Sequence, residues 1–328
     1  MNIVKKCLRK FISAVKNIRD IPKDTKEFGL KIAIVKYRRS LGLISVHKYI
    51  DIITQKTKIE IEPILKKYQE GQVVGLKKHV DFKDKIPVFV SWLQGEDSMP
   101  EWCRACYNNI KRILPSQAEL VFITYDNLST YVQIPKNIIQ KLGKGEICVT
   151  NFSDIVRNAL LATYGGGWID LAIYLSKGVF ESAFQYDLYT PRFGSEKGAL
   201  QDVSRGRWVL GCWITKKPNI LFQFVYDSLV LFWEKHNRML DYLYCDYIIW
   251  NGYLQIDAIK DILDAVPVNN KEIRLLNSLF EEEFSQELFE DVLNKQSIHL
   301  VDRHKNYKTE KNGKETTYGH ILKINNNK

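Results

Sequence analysis

The 328-residue chain has no apolar run close to the roughly 20 residues that a bilayer-spanning helix needs. Its richest candidate, Ile220 to Trp233, is short and carries Gln223 and Asp227, which points to a buried helix. The opening MNIVKKCLRKFISAV is basic but lacks a sustained apolar segment and a small-residue cleavage site, so it does not read as a secretory signal. The six cysteines, Cys7, Cys103, Cys106, Cys148, Cys212 and Cys245, show no framework spacing, which argues for reduced thiols and a cytoplasmic chain. Cys103-Arg-Ala-Cys106 has no second cysteine or histidine pair to complete a zinc site, so two thiols on one side of a helix is the simpler reading. There is no Gly-rich phosphate loop and no G-x-S-x-G elbow, and His47, His79, His236 and His320 have no metal-ligand spacing. These absences weigh against kinases and serine hydrolases. No internal repeat is visible.

Positive charge, by contrast, is concentrated. Residues 1–40 hold twelve Lys and Arg against Asp20, Asp24 and Glu27, an excess of nine, which is nearly the whole formal net charge of +10. Within this stretch Val4, Leu8, Phe11, Val15 and Ile18 recur at steps of four and three, with cations between them. That pattern predicts a basic amphipathic helix, of the kind that lies on anionic bilayer surfaces. The same pattern also fits a helix packed on the catalytic core with a solvated basic back. Nucleic-acid binding is disfavoured, because no aromatic residues interleave the cations.

Residues 41–80 read as helical and connecting, ending in a turn near Gly71 and Gly75. The division expected is an N-terminal basic helical segment, 1–80, and a catalytic domain with a C-terminal loop and tail, 81–328. Ile86-Pro-Val-Phe-Val-Ser-Trp-Leu is a short run rich in branched and aromatic residues, the mark of a buried strand. Pro100 opens a helix through Leu114, and Leu120-Val-Phe-Ile-Thr-Tyr is a second strand. Strand, helix and strand in this order predict an α/β unit with parallel strands.

The stretch from Asn151 to Leu175 carries the most chemistry. Ser153 is the expected helix N-cap, Asp154 suits the positive end of the helix dipole, and Arg157 shares its face. Gly165, Gly166 and Gly167 end the helix. A strand is then expected, with Ile169, Leu171, Ile173 and Leu175 on a buried face. Trp168, Asp170, Ala172 and Tyr174 alternate with them and form the face that could floor a ligand.

Ser-Asp-x-x-Arg, a helix, Gly-Gly and then aromatic-x-Asp resembles the core of the capsular polysaccharide synthesis proteins. These are relatives of the DXD-motif sugar transferases, such as the initiating mannosyltransferases, and of the glycosylating bacterial toxins. The opening strand with Gln94-Gly95, and Asn219-Ile-Leu-Phe and Met239-Leu-Asp-Tyr further on, are similar to parts of the same family, so the likeness covers roughly residues 84–255. The resemblance implies a GT-A-like nucleotide-sugar fold with a central, mostly parallel sheet. It also implies a retaining hexosyltransferase that moves sugar from a nucleotide-diphosphate donor to a glycan or lipid-linked glycan. Carried over, Asp154 and Arg157 would contact ribose and diphosphate, and Trp168 would border the nucleotide. Trp92, Gln94 and Gly95 would lie beside the base, and Asp170 would be the first acid of the DXD motif and a ligand of Mn2+ or Mg2+.

Ala172 stands where the second acid belongs. Three readings follow. In the first, the ion is held by diphosphate, Asp170, water and a distant acid such as Asp246. In the second, cations among Arg157, Arg205, Arg207, His304 and Lys305 replace it. Or the protein binds nucleotide-sugar or glycan as a degenerate transferase without turnover. Asp241 and Asp246, among Tyr242, Tyr244, Tyr247 and Trp250, are assigned either to the acceptor side or to an aromatic packing face. His299, His304 and Lys305 are candidates to close over the diphosphate. The expected location is the cytoplasm, at the inner face of the cell membrane.

Overall fold

The computed structural model describes residues 18–193, 202–302 and 305–326. Most of the basic amphipathic segment and His304 fall outside them. The described chain is a mixed α/β protein that gathers into two compact units, and three of the five boundaries between them fall inside helices. A helical unit takes residues 1–73, 134–155 and 224–257; a sheet unit takes 74–133, 156–223 and 258–328. The described N-terminal stretch, residues 18–73, is thus one of three that build the helical unit. Among the described residues, no helix is long and apolar enough to cross a membrane.

The sheet unit is built on five strands in the order β2-β1-β3-β6-β5. They are β1 (Ile86–Ser91), β2 (Ala118–Ile123), β3 (Gly166–Ile169), β5 (Leu188–Tyr189) and β6 (Cys212–Thr215), with β4 (Ile173–Leu175) assigned elsewhere. β1 runs parallel to both β2 and β3, β6 opposes β3, and β5 opposes β6. Four of the five strands therefore point one way. The first two strands and the intervening helix Glu101–Ile113 lie where the apolar runs placed them. Cys103 and Cys106 are buried in that helix, and burial pushes the Cys106 thiol well up, so it packs as a neutral group.

Two expectations change. The helix before the glycines spans Val149–Tyr164, so Ser153 lies inside it rather than capping it. Phe152 is fully buried, and packing of that extra turn outweighs the local capping preference of serine. The single strand expected after the glycines is two. β3 ends at Ile169, Asp170 to Ile173 close a turn through Ile173 N to Asp170 O at 3.0 Å, and β4 then pairs with β7 (Ile298–Leu300) in a separate ribbon. The aliphatic set Ile169, Leu171, Ile173 and Leu175 is buried in one cluster as expected, but Trp168 and Tyr174 are buried too. The alternation fails because the turn resets the register between two sheets.

The glycines set where β3 lies. Gly165 and Gly166 have φ of 70° and 80°, the left-handed region that side chains avoid. A Cβ at Gly165 would lie 2.5 Å from the Lys217 carbonyl carbon, and one at Gly166 would lie 2.0 Å from the Pro87 carbonyl oxygen.

In the helical unit, Val46–Glu60 is capped by Ser45, whose hydroxyl accepts from Lys48 N at 3.3 Å. Residues 18–40 pack through Phe28, Ile32, Ala33 and Val35. They are tied by Arg238 to Asp20 and Asp24, at 3.0 and 3.1 Å, and by Glu27 to His236 at 3.2 Å. His236 also meets Glu60 at 2.9 Å; that hydrogen bond, with Lys56 beside it, holds the Glu60 carboxyl down to about 2. Gly166→Ala, which combines a left-handed backbone with a backbone clash, should cost about 2 kcal/mol or more, read as a drop in the denaturant midpoint.

Candidate functional site

Strand order places a site before any side chain is considered. The chain runs from β1 to β2 on one side, then returns to lay β3 on the other side of β1. The carboxyl edge between β1 and β3 is therefore a topological switch point, where open α/β sheets leave a crevice for ligands. The pairing of Phe89 with Trp168, carried two residues on, sets Ser91 across from Asp170. The loop after β1 and the acid after β3 thus leave the sheet side by side.

Asp170 is held from three directions. Its Oδ1 accepts from Trp168 Nε1 at 2.7 Å and from Arg157 Nη2 at 3.3 Å. Its backbone N donates to Gly211 O at 2.7 Å. A Cβ at Gly211 would come 2.7 Å from Oδ2, so only glycine leaves room for the carboxylate as it stands. The Asp170 side chain is 39% exposed, whereas that of Arg157 is 5% exposed. Arg157 also lies over the Trp168 ring, its Cζ 5.3 Å from the centroid. Buried indole, buried guanidinium and open carboxylate form one stack, with only the acid reaching water. Beneath it, burial and the Asp170 charge push the Cys212 thiol up, so no thiolate competes there.

The loop after β1 is ordered by its own hydrogen bonds. Trp92 Nε1 donates to Ser98 Oγ at 2.8 Å, Ser98 Oγ to Gly95 O at 2.8 Å, and Gly95 N to Trp92 O at 2.9 Å. Gly95 has φ 92°, and Gln94 is exposed. Tyr125, past the end of β2, donates its N to Leu93 O at 2.9 Å and leaves its ring half-exposed.

The remaining candidates are placed as follows. Asp154 is buried in the same helix as Arg157, one turn earlier. Asp241 and Asp246 belong to the helical unit. Asp241 accepts from Tyr49 OH at 2.6 Å and from Leu243 N at 2.8 Å, and Asp246 is buried in the first turn of Tyr244–Gln255. Lys305 pairs with Glu281 at 2.7 Å and lies over Tyr307. His299 is fully buried in β7, its Nε2 3.1 Å from Ser176 Oγ, and burial pushes it down to about 4. It is a core residue and cannot close over a ligand, because strand pairing with Tyr174 turns it inward.

The donor set does not make a metal cage. Among the described residues, no three His, Cys, Asp or Glu side chains gather as ion ligands. Ala172 lies in the turn and adds only a carbonyl that already accepts from Val301 N at 3.0 Å. Sequence reasoning passed over Gly211 and Tyr125. A glycine beside a buried cysteine carries no local signal, and its role becomes visible only when β6 is laid beside β3.

The pattern that defines the capsular polysaccharide synthesis proteins matches residues 43–321. The chain belongs to this family. The match takes in both units and extends on both sides of the stretch 84–255 in which the likeness was legible, from just before Val46–Glu60 into the last helix, Thr317–Asn326. It includes Arg157, Trp168, Asp170 and Gly211. No curated protein matches the chain.

The buried His299 gives the family member a testable acid sensitivity. Its pKa is lowered on folding, so the unfolded chain binds the extra proton first, and stability is full above about 6.5 and falls as pH drops toward 4. The loss should be on the order of 3 kcal/mol across that window. Urea midpoints should fall more steeply for the wild type than for His299→Gln.

Proposed function

We propose that the chain is a glycosyltransferase with a GT-A-like nucleotide-sugar site, acting in capsular or other surface-polysaccharide synthesis. The observation that carries the reading is a single open carboxylate, Asp170, anchored by Trp168 and Arg157 at the β1–β3 switch point. Family membership supports the polysaccharide context. In the reaction, the bond between the anomeric carbon and the diphosphate oxygen breaks, and an acceptor hydroxyl forms the new glycosidic bond and gives up its proton. Most of the rate would come from holding donor and acceptor in register and stabilising the departing diphosphate.

Each residue has a role in this reading. The β1 loop, Trp92 to Gly95, borders the base. Arg157 supplies fixed positive charge toward the diphosphate while its ring stack on Trp168 keeps it oriented. Asp154 and Arg157 share a helix face, as ribose and phosphate contacts require. Asp170 meets the donor at the sugar–phosphate junction. The described residues do not by themselves hold a divalent ion; Asp170 is the side chain that would help hold an Mn2+ or Mg2+ ion arriving with the diphosphate. Such an ion would neutralise the leaving group.

Two substitutions test this. Asp170→Asn keeps the shape and should lower sugar transfer and donor hydrolysis about 100-fold or more, with the melting temperature unchanged. A panel of nucleotide sugars, with and without manganese, provides the assay. Turnover near the wild-type rate would remove Asp170 from the mechanism, and no turnover by the wild type on any donor would favour a binding protein. Gly211→Ala should push the carboxylate aside and cost about 10–100-fold in turnover, again with little change in stability.

A further inference from the structure

The helix Leu30–Ser40 is apolar on two sides. Its inner face, Ile32, Ala33 and Val35, is buried in the helical unit. Its outer face carries Leu30, Ile34, Tyr37 and Leu41, spaced four, three and four, which aligns them in one stripe along the helix. Leu30 is 58% exposed, Ile34 42% and Leu41 40%. A helix that only packed against its own unit would carry polar residues there.

The charge beside the stripe indicates what covers it. Lys31 and Arg38 are exposed, lie one position C-terminal to Leu30 and Tyr37, and so run along the same edge. Neither forms an ion pair with a described residue, whereas Lys36, on the inner side, is bound to Asp24 at 2.9 Å. On its far side Lys31 borders a largely apolar groove of about 440 Å³ lined by Phe28, Ile32, Ile52 and Ile59, with Asp51, Gln55 and Lys56 also in its wall. An anionic headgroup at this lysine would have apolar surface to either side. The segment holding the stripe also holds the cation excess of nine, and the repeat Val4, Leu8, Phe11, Val15, Ile18 precedes it in the chain.

We infer that the outer stripe of Leu30–Ser40, edged by Lys31 and Arg38, docks on an anionic phospholipid surface. Apolar side chains enter the interfacial layer while the cations stay at the headgroups, the division expected of an interfacial helix. The surface lies on a helix that is packed onto the helical unit. It stands on the helical unit alone and does not depend on the transferase reading.

Sedimentation of the full-length chain with phosphatidylglycerol vesicles, against phosphatidylcholine vesicles, tests it. Binding should be confined to the anionic vesicles and released by high salt. The pair Ile34→Asp with Leu41→Asp should lower the partition coefficient more than tenfold, and Lys31→Glu with Arg38→Glu about tenfold or more. Both pairs should keep the wild-type melting temperature and donor hydrolysis. Wild-type binding by the stripe pair would overturn the proposal, as would equal binding to both vesicle types. A fall in oligomeric mass of the stripe pair on gel filtration would overturn it in favour of a second copy on this face. Absence of donor hydrolysis in the wild type would count against the transferase and leave the vesicle result standing.

Discussion

Backbone-to-backbone contact at two glycines governs the sheet unit. Where a Cβ would meet the Pro87 carbonyl oxygen at 2.0 Å, β3 can lie against β1 only because position 166 has none, and position 165 repeats the condition against Lys217. That approach fixes the pairing of Phe89 with Trp168 and so decides that the chain emerges at Asp170 on the carboxyl edge. The turn from Asp170 to Ile173 then carries β4 away to a different ribbon, leaving the acid at a break in the sheet. Strand breaks of this kind are where a side chain can face solvent while its neighbours are fully packed.

Around that break the protein separates the cost of burying charge from the benefit of exposing it. Arg157 is almost wholly removed from water, which would be unfavourable without compensation. The Trp168 ring face and the Asp170 carboxylate provide it, and the same indole donates its N–H to the same carboxylate. Three residues therefore orient one another. The result is a cation that is desolvated and held in place beside an open carboxylate. Preorganised charge of this sort is more effective than a mobile lysine at the surface.

The helical unit uses charge differently. His236, Arg238, Glu27, Glu60, Asp20 and Asp24 clamp residues 18–40 against the later helices, which consumes acids and cations on the inner side. What is left over faces outward, next to Leu30 and Ile34. Among the described cations of the N-terminal stretch, Lys36 is bound to Asp24 on the inner side, whereas Lys31 and Arg38 are exposed.

Much of this was legible in the residues. Branched and aromatic runs located β1 and β2, the glycine triplet marked the end of a helix, and the Asp–Arg spacing put two functional groups on one face. Serine at 153 looked like a cap, yet Phe152 needed burial and the helix began a turn earlier. The alternation from Trp168 to Tyr174 read as one strand, because period-two patterning continues unaltered across a tight turn. The His236 clamp and the role of Gly211 had no local signature, since each depends on segments far apart in sequence. Composition and spacing determined the α/β class, and the resemblance carried by the stretch from Ser153 to Asp170 pointed to the family that the match over residues 43–321 shows. Only tertiary structure decided that Asp170 ends a strand, that Gly211 makes room for it, and that His299 is core. Periodicity reports what a segment would bury, whereas the partner it is buried against is settled by packing between distant parts of the chain.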